Sequence, residues 1–385
     1  MEDLIYLDYA ATTPVDPLVL KAMLPFFIYK YGNPSSIHAY GQSAENAIET
    51  AREEVAGVLN CQPKEVIFTS CGSESDNLAL RGAGLALREK KSADQILSSL
   101  AEHHAVSHTL QSMEKYMGFQ VGWMPVDENG KVLPETVSQL IGPKTALVSV
   151  MLANNEIGTI NPLAEIAREC HARSVLVHTD AVQAGAWLPL DVQKLNVDMM
   201  SLGAHKFYGP KGVGALYVRE GTPIVPAQTG GGQEQGLRAG TQNVPYIVGF
   251  AEALKLAEKE KENRIALVKP MRDRIINRVL ESIPNVQLTG HPVDRLPNHC
   301  SFAFKDLDGN LLLNLLDQAG FACSSGSACK TGSPEPSEVM GLLGLPREWG
   351  LGSLRVTLGV LTTMDQVEKF LACLPELVEK ARQLS

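Results

Sequence analysis

Short apolar runs alternate with amphipathic stretches along the first two thirds of the chain. Apolar runs bounded by turn residues are typical of buried strands, and the stretches between them carry apolar residues at helical spacing. This order predicts an α/β domain with a mostly parallel sheet, whose ligands bind at the carboxyl ends of the strands. The predicted strands are 66–69, 95–98, 145–151, 175–179, 199–202 and 214–218, and the predicted helices are 74–88, 105–117 and 162–173.

The pattern changes near Asn243, where long charged helices replace the alternation. Thr363 and Gln366 have the spacing of a capping box at the start of the last helix. Beyond Asn243, the predicted helices are 244–261, 265–281 and 364–383, and the predicted strands are 286–288, 301–304 and 354–357.

A chain of 385 residues is long for one hydrophobic core, so we expect two domains. The change of pattern places their boundary near residue 258. The large domain is predicted to comprise residues 16–257, and the small domain residues 1–15 and 258–385.

Charge and cysteine content restrict the class of protein. A formal net charge of -9 gives no positive field for a polyphosphate chain, so nucleic acid and anionic membranes are not expected as partners. The sequence shows neither a targeting segment nor an apolar stretch of membrane-spanning length, which predicts a cytoplasmic protein. Seven scattered cysteines without zinc-ligand spacing fit a reducing compartment in which at least one thiol is reactive.

Asp180 and Lys206 follow two consecutive predicted strands. An acid at the end of the strand at 175–179 could simply cap the next helix. Lys206 changes this interpretation, because an amine and an anion at neighbouring strand ends are the two groups that pyridoxal phosphate requires. The amine forms a Schiff base with the cofactor, and the anion pairs with its pyridinium nitrogen.

A phosphate site is indicated where the strand at 66–69 leads through Cys71, Gly72 and Ser73 into a helix. The first amides of a helix point outward and favour anions. Gly72 permits close approach, and the Ser73 hydroxyl adds a donor. A Gly-Ser turn is also common as a plain helix cap, so the interpretation depends on Lys206 and Asp180.

Histidines cluster in AEHHAVSH, after the strand predicted at 95–98. His104 and His108 lie one helical turn apart, which is one arrangement of metal ligands. No acid or thiol stands at a matching distance, so no metal site is predicted. His103 is instead the candidate for an aromatic plate against a cofactor ring.

A Ser- and Gly-rich segment at about 321–335 contains Cys329. It is longer than a connection requires and lacks apolar periodicity, which predicts a functional loop. Cys329 beside Lys330 has the electropositive setting that favours a thiolate. The alternatives are a disulfide with Cys323, which a reducing compartment disfavours, and an incidental surface cysteine.

With these motifs in order, the chain closely resembles the cysteine desulfurases of the class V aminotransferase family. The loop around Cys329 resembles the longer-loop subgroup, which serves iron-sulfur cluster assembly and tRNA thiolation. The motifs that carry the resemblance are YLDYAATTPVDP, YGNPSS, FTSCGSESDNLA, EHHAV, NNEIGT, HTDAVQ, AHKFYGPKG, GGGQEQGLRAGTQNV, SSGSAC and SLRVTLG.

The resemblance implies fold type I of the pyridoxal-phosphate enzymes, which is the aspartate aminotransferase-like fold. It also implies that Lys206 forms the Schiff base, that Asp180 pairs with the pyridinium nitrogen and that His103 stacks on the ring. The further cofactor contacts that it implies are Gln183, Asn155, Gly72, Ser73 and His205, with Thr241 reaching the phosphate from the other subunit of a homodimer.

For the substrate, the resemblance implies that Arg355 binds the carboxylate of L-cysteine, helped by Asn33 and Asn155. Cys329 would be the nucleophile that takes the sulfur as a persulfide, leaving L-alanine. An acceptor protein, such as an iron-sulfur scaffold or a thiolation relay, would then receive the sulfur.

The sequence departs from the family pattern at several positions. Gly203 replaces a frequent serine, which removes one hydroxyl from the implied phosphate site. Ser73 stands for threonine and His104 for lysine. Cys323 adds a thiol, which raises the hypothesis of a Cys323–Cys329 disulfide that switches activity off under oxidation.

Two other functions remain open at this point. A selenocysteine lyase, or another class V enzyme, would use the same lysine and aspartate but release a different group. A non-catalytic scaffold would bind pyridoxal phosphate without turnover. The scaffold alternative gives no chemical reason for the joint presence of Lys206, Asp180, His103, Cys329 and Arg355.

Overall fold

A seven-stranded sheet dominates the computed structural model, which describes residues 4–325 and 335–385. Its strand order is β2-β8-β7-β6-β5-β3-β4, and within it β8 alone runs antiparallel to its neighbours. The strands of the described residues are β1 (Ile5–Tyr6), β2 (Val66–Thr69), β3 (Gln95–Ser99), β4 (Gln120–Met124), β5 (Thr145–Ser149), β6 (Leu176–Asp180), β7 (Met199–Gly203), β8 (Gly214–Val218), β9 (Val286–Leu288), β10 (His299–Phe304), β11 (Phe321–Ala322) and β12 (Ser353–Thr357).

Helices cover both faces of this sheet. A π-helical segment, Leu78–Gly82, joins α3 to α4, so the chain is helical from Gly72 to Lys91. None of the helices in the described residues is both long enough and apolar enough to cross a membrane. The helices are α1 (Pro17–Ile28), α2 (Ala39–Leu59), α3 (Gly72–Asn77), α4 (Ala83–Lys91), α5 (His104–Met117), α6 (Pro134–Leu140), α7 (Leu163–His171), α8 (Val192–Leu195), α9 (Val244–Ser282), α10 (Gly309–Gln318), α11 (Glu338–Leu342), α12 (Arg347–Gly350) and α13 (Met364–Leu384).

The two faces of the sheet bury separate apolar clusters. In β2, Val66 and Phe68 belong to the larger cluster, while Ile67 points into the smaller one beneath α3 to α5. Successive strand residues face opposite sides of a sheet, and here both sides are covered. This double cover explains why the strands are continuous apolar runs in the sequence.

The C-terminal part carries its own antiparallel sheet, ordered β12-β10-β9. The N-terminus joins this part, because β1 pairs with β11 and Asp8 forms a parallel bridge with Thr357. The predicted small domain groups the same segments, although its exact bounds stay a prediction.

The predicted α/β class with a mostly parallel sheet is confirmed. The predicted break between helices at 261 and 265 is wrong, because α9 is one helix of 39 residues. Arg264, inside the expected break, is buried and its guanidinium lies 4.9 Å from the centre of the Tyr208 ring. The charged segment around Arg264 therefore continues the helix, because the guanidinium of Arg264 packs against an aromatic ring. The capping box of Thr363 and Gln366 is confirmed.

Candidate active site

The carboxyl ends of five strands meet around a cavity of about 350 Å³. The segments that follow β2, β3, β5, β6 and β7 line it, as expected for ligand sites in parallel sheets. Of the residues predicted for the site, those lining the cavity are Gly72, Ser73, His103, Asn155, Asp180, Gln183, His205, Lys206 and Arg355.

Lys206 is placed by a tight turn directly after β7. The 3-10 turn Ala204–Lys206 ends the strand, and Tyr208 then adopts a left-handed conformation with a φ of 68°. A non-glycine residue at positive φ needs external support. Thr13 provides it, because its hydroxyl accepts a hydrogen bond of 2.9 Å from the Tyr208 amide. The turn therefore aims the lysine into the cavity at some cost in backbone strain.

The ammonium of Lys206 donates hydrogen bonds to the carbonyls of Ala10 and, at 2.7 Å, Ala11. Burial, together with the charge of Arg355, lowers the pKa of Lys206 to about 8. Asp8 and Asp180 act in the opposite direction. The amine is thus prepared to give up its proton near neutral pH, which a nucleophilic or basic lysine requires.

Asp180 ends β6 and is 6% exposed. Its carboxylate accepts a hydrogen bond of 2.9 Å from the Val182 amide. Burial raises the pKa of Asp180, while the neighbouring His103 and Lys206 oppose this shift. Gln183, three residues further on in the turn that follows β6, donates to the Ala10 carbonyl at 2.8 Å.

His103 caps α5 through its Nδ1, which accepts a hydrogen bond of 3.1 Å from the Ala105 amide. Its ring lines the cavity, although the residue is exposed at the mouth. Desolvation lowers the pKa of His103, with Asp180 acting against it and Lys206 adding to it. A neutral ring at the mouth of the cavity is suited to contact a flat ligand.

Gly72 begins α3 at the opposite end of the cavity, beside Ser73. A Cβ at Gly72 would lie 2.6 Å from Cγ2 of Val182, so glycine is required there. His205 faces the same space and contacts the Thr12 hydroxyl at 3.2 Å. Burial lowers the pKa of His205 to about 4, and Lys206 adds to this shift. This end offers helix amides and neutral donors to an anion.

Arg355 enters the cavity from β12 of the other sheet and is 7% exposed. Its guanidinium donates to Asp8 at 2.8 Å and to the Asn155 carbonyl at 3.0 Å. Its Nε has no hydrogen-bond partner among the described residues. A buried guanidinium with a free donor is a binding group for a carboxylate.

Two of the described residues predicted for the site, Asn33 and Thr241, do not line this cavity. Asn33 is exposed and accepts a hydrogen bond from the Ser35 amide at 2.9 Å. Thr241 lines a separate hollow with Arg238. Cys329 lies outside the described residues, as does its hypothetical disulfide with Cys323, so the roles of all three stay predictions.

The site also contains acids that the sequence interpretation missed. Asp8 was part of a quoted motif but received no role, and Asp76 and Glu102 were not singled out. Asp76 stands three residues after Ser73, so the helical period alone places it one turn below the phosphate end. Asp8 gave no such signal, because it meets Arg355 only through the pairing of β1 with the C-terminal part.

His104 and His108 stack on each other, with ring centres 4.4 Å apart. Among residues 4–325 and 335–385, no group of three or more His, Cys, Asp and Glu side chains could hold a metal ion. These histidines therefore pack on the surface of α5 in the structure as described.

The fold and the lysine cavity define a member of the aminotransferase class-V family, to which the chain belongs: the family model matches residues 5–370. Within this family, the similar proteins are named as cysteine desulfurases. Cysteine desulfurase IscS of Methanosarcina thermophila is 45% identical over 381 residues, covering 99% of this chain and 93% of that relative.

Solved structures agree with this relation. A NifS-like protein superposes with a TM-score of 0.91 at 38% identity, covering 98% of this chain and 100% of that chain. SspA in complex with cysteine superposes with a TM-score of 0.80 at 33% identity, covering 93% and 99% of the two chains. The predicted resemblance to cysteine desulfurases is confirmed.

Proposed function

We propose that this chain is a pyridoxal-phosphate-dependent cysteine desulfurase, which converts L-cysteine to L-alanine and carries the sulfur as a persulfide on Cys329. The observation that carries the proposal is the meeting of Lys206, Asp180 and Arg355 in one cavity. The desulfurase names of relatives that span nearly the whole chain support it.

The cavity fits pyridoxal phosphate. Gly72 has no side chain where a Cβ would collide with Val182, and the start of α3 offers amides to the phosphate. Asp180, Lys206 and His103 would contact the ring end. Bound here, the cofactor would supply an electron sink for the α-carbon of the substrate.

Lys206 would hold the cofactor and then move a proton. Its pKa of about 8 leaves roughly a tenth of the amine neutral at neutral pH. A neutral Nζ accepts a proton, so Lys206 would serve as the base that takes the α-proton of the substrate.

Arg355 would bind the carboxylate of L-cysteine and thereby orient the substrate. Its Nε is buried and lacks a partner in the part of the chain that the structure describes, and the planar guanidinium suits two parallel hydrogen bonds. Asp8 holds the other side of the guanidinium, which limits its rotation. The backbone carbonyl of Asn155 accepts a hydrogen bond from Arg355. Asn155 therefore stays in the proposal as a residue of the substrate site.

The sulfur step involves Cys329. Its thiolate would attack the substrate sulfur, so that an S–S bond forms as the C–S bond breaks. The electron pair of the C–S bond stays with the carbon, which takes up a proton and becomes the methyl group of alanine. The assignment of Cys329 rests on the sequence.

The test is release of alanine and sulfide from L-cysteine, with added pyridoxal phosphate and a thiol reductant. The native chain and Cys323→Ala should both produce alanine and sulfide, whereas Cys329→Ala should produce neither. All three should retain the absorbance of lysine-bound cofactor. Cofactor binding without turnover by the native chain would overturn the proposal in favour of a scaffold.

The selenocysteine lyase alternative is not favoured by the named relatives. It predicts turnover of L-selenocysteine but none of L-cysteine in the same assay. A homodimer with Thr241 of one subunit near the phosphate of the other, a cytoplasmic location and a sulfur-acceptor protein belong to the proposal as well. Sedimentation of the purified protein tests the dimer.

A further inference from the structure

Two carboxyl groups, those of Asp76 and Asp180, are buried at the floor of the cavity, and a third, that of Glu102, is buried beside them. Asp76 on α3 is 1% exposed, Glu102 after β3 is 5% exposed, and Asp180 at the end of β6 is 6% exposed. Carboxylates this close in a dry environment repel one another, so they do not all carry a charge at once. The question is which of them does.

Asp180 has the best support for a negative charge. It accepts a hydrogen bond from the Val182 amide and has the Lys206 ammonium as a neighbour, which favours its ionised form. Glu102 accepts one bond of 2.8 Å from the Met151 amide through Oε1, while its Oε2 has no partner in the described part of the chain.

Asp76 has the weakest support for a charge. The Ser201 side chain hydrogen-bonds its carboxyl, but Oδ1 has no partner within the described residues. The Nε2 of His178 lies 3.6 Å away, beyond hydrogen-bonding distance, and is 3.0 Å from the Ser201 hydroxyl.

His178 does not supply a positive charge to Asp76. Its Nδ1 contacts the Ser149 hydroxyl at 2.9 Å, so its ring is held between two serines. Complete burial lowers the pKa of His178 to about 3. A neutral imidazole therefore faces Asp76, and the pair is not an ion pair.

The groups that face Asp76 from the surrounding elements act mostly in one direction. Burial raises the pKa of Asp76 well above its usual value, and the neighbouring acids Asp180 and Glu102 raise it further. A hydrogen bond with Ser201 opposes this shift.

We infer that Asp76 is a positioning residue, which stays protonated at neutral pH and thereby lets the adjacent Asp180 carry the negative charge of the cavity floor. If Asp76 were ionised, its charge would favour a proton on Asp180 and remove the anion that faces the ring nitrogen. The inference rests on the proposed function for the role of Asp180. Its own content, the proton on Asp76, does not require cofactor.

The test uses the cofactor-free protein, so its result is separate from any desulfurase assay. Urea unfolding at fixed protein concentration is measured from pH 5 to pH 9 for the native chain and for Asp76→Asn. Asp317→Asn, which changes an exposed aspartate on α10, is the matched control.

The sign follows from proton binding. A carboxyl that keeps its proton when folded loses it on unfolding, where its pKa is about 4. The stability from this proton is complete at low pH and is lost as the pH rises through the folded pKa. The unfolding constant of the native chain relative to Asp76→Asn should therefore rise about tenfold per pH unit above pH 5. The unfolding constant of the native chain divided by that of Asp317→Asn should not change with pH.

A native-to-Asp76→Asn ratio that is independent of pH between 6 and 8 overturns the inference, because it means that Asp76 is ionised in the folded chain. Should Asp76→Asn not fold, Asp76→Ser removes the same carboxyl without adding bulk and should give the same slope.

The coupling to Asp180 is tested in an Asp180→Asn background. Removing that neighbouring charge lowers the folded pKa of Asp76. The native-to-Asp76→Asn ratio at pH 9, relative to pH 5, should then be smaller by about tenfold or more. An identical ratio in both backgrounds contradicts the coupling. A protein that passes both tests but releases no alanine from cysteine would refute the proposed function and leave the proton on Asp76 established.

Discussion

The rim and the floor of the cavity treat aspartates in opposite ways. At the rim, Asp8 lies 2.8 Å from Arg355, whose guanidinium is always charged, and the two form an ion pair. At the floor, Asp76 faces His178, which burial keeps neutral. The same residue type therefore carries a charge or a proton according to whether a permanent cation is within reach.

The rim and the floor therefore have different roles in the proposed site. The rim binds charge on the substrate, and the floor sets the protonation of groups that contact the cofactor ring. Lys206 is influenced by both, because Arg355 at the rim lowers its pKa while Asp8 at the rim and Asp180 at the floor raise it. Variants of these residues test how far rim and floor act separately.

The largest effect on activity is expected from the replacement of Lys206. Lys206→Ala should lower alanine formation by about a thousandfold or more, because the residue both attaches the cofactor and takes the α-proton. Lys211→Ala, which changes an exposed lysine five residues further on, is the control and should retain turnover. Steady-state kinetics with cysteine checks both. Equal activity of the two variants would remove Lys206 from the mechanism.

The next largest effect comes from breaking the rim. Arg355→Gln should raise the KM for L-cysteine by about 10- to 100-fold, which corresponds to the loss of a charge-assisted hydrogen bond. Arg355→Lys keeps the charge but loses the planar fork, and its KM should lie between those of the native chain and Arg355→Gln. An unchanged KM in Arg355→Gln would place the carboxylate elsewhere in the cavity.

The influence of the rim on Lys206 is measurable through pH. Covalent attachment of pyridoxal phosphate needs the neutral amine, so its rate in the cofactor-free protein should rise with pH, with a midpoint at about 8. Asp8→Asn removes a charge that raises the pKa of Lys206. The midpoint should therefore move down by about half a unit. Stopped-flow absorbance measures both midpoints, and a midpoint that moves up would reverse the assigned role of Asp8.

The smallest effect concerns Gly203, next to the phosphate end of the cavity. A Cβ at Gly203 would lie 3.4 Å from Val182 and 3.5 Å from the Gly72 amide nitrogen, which is ordinary contact. Gly203→Ser should thus fit and tighten pyridoxal phosphate binding about threefold through one added hydroxyl. Gly203→Ala, which adds the Cβ alone, should leave the dissociation constant nearly unchanged. Equal affinity of the serine and alanine variants would show that no phosphate oxygen lies within reach.

Residues at strand ends were predictable from the sequence. Asp180 and Lys206 directly follow apolar runs, and the topology of a parallel sheet brings such positions to one edge. His205 and Gln183 are their near neighbours in sequence, although it was the family resemblance that implied the roles of these two residues. For these residues the local pattern contains most of the spatial information.

Other contacts depend on pairings that no local pattern contains. Asp8 and Arg355 are far apart in the chain and meet because Asp8 bridges to Thr357 of β12. The charge states of Asp76 and Glu102 depend on burial and on neighbours from several elements. The break predicted before residue 265 was wrong for a related reason, since only the fold shows that Arg264 has Tyr208 to pack against.

The unbroken helix α9 also has a mechanical consequence. With 39 residues it is about 58 Å long, and it passes through residue 258 without interruption. The proline inside it, Pro270, lies beyond that residue and removes one backbone hydrogen bond. Bending of the chain at residue 258 would break backbone hydrogen bonds of the helix. The predicted domain boundary thus falls within continuous helix and not in a loop that could act as a hinge.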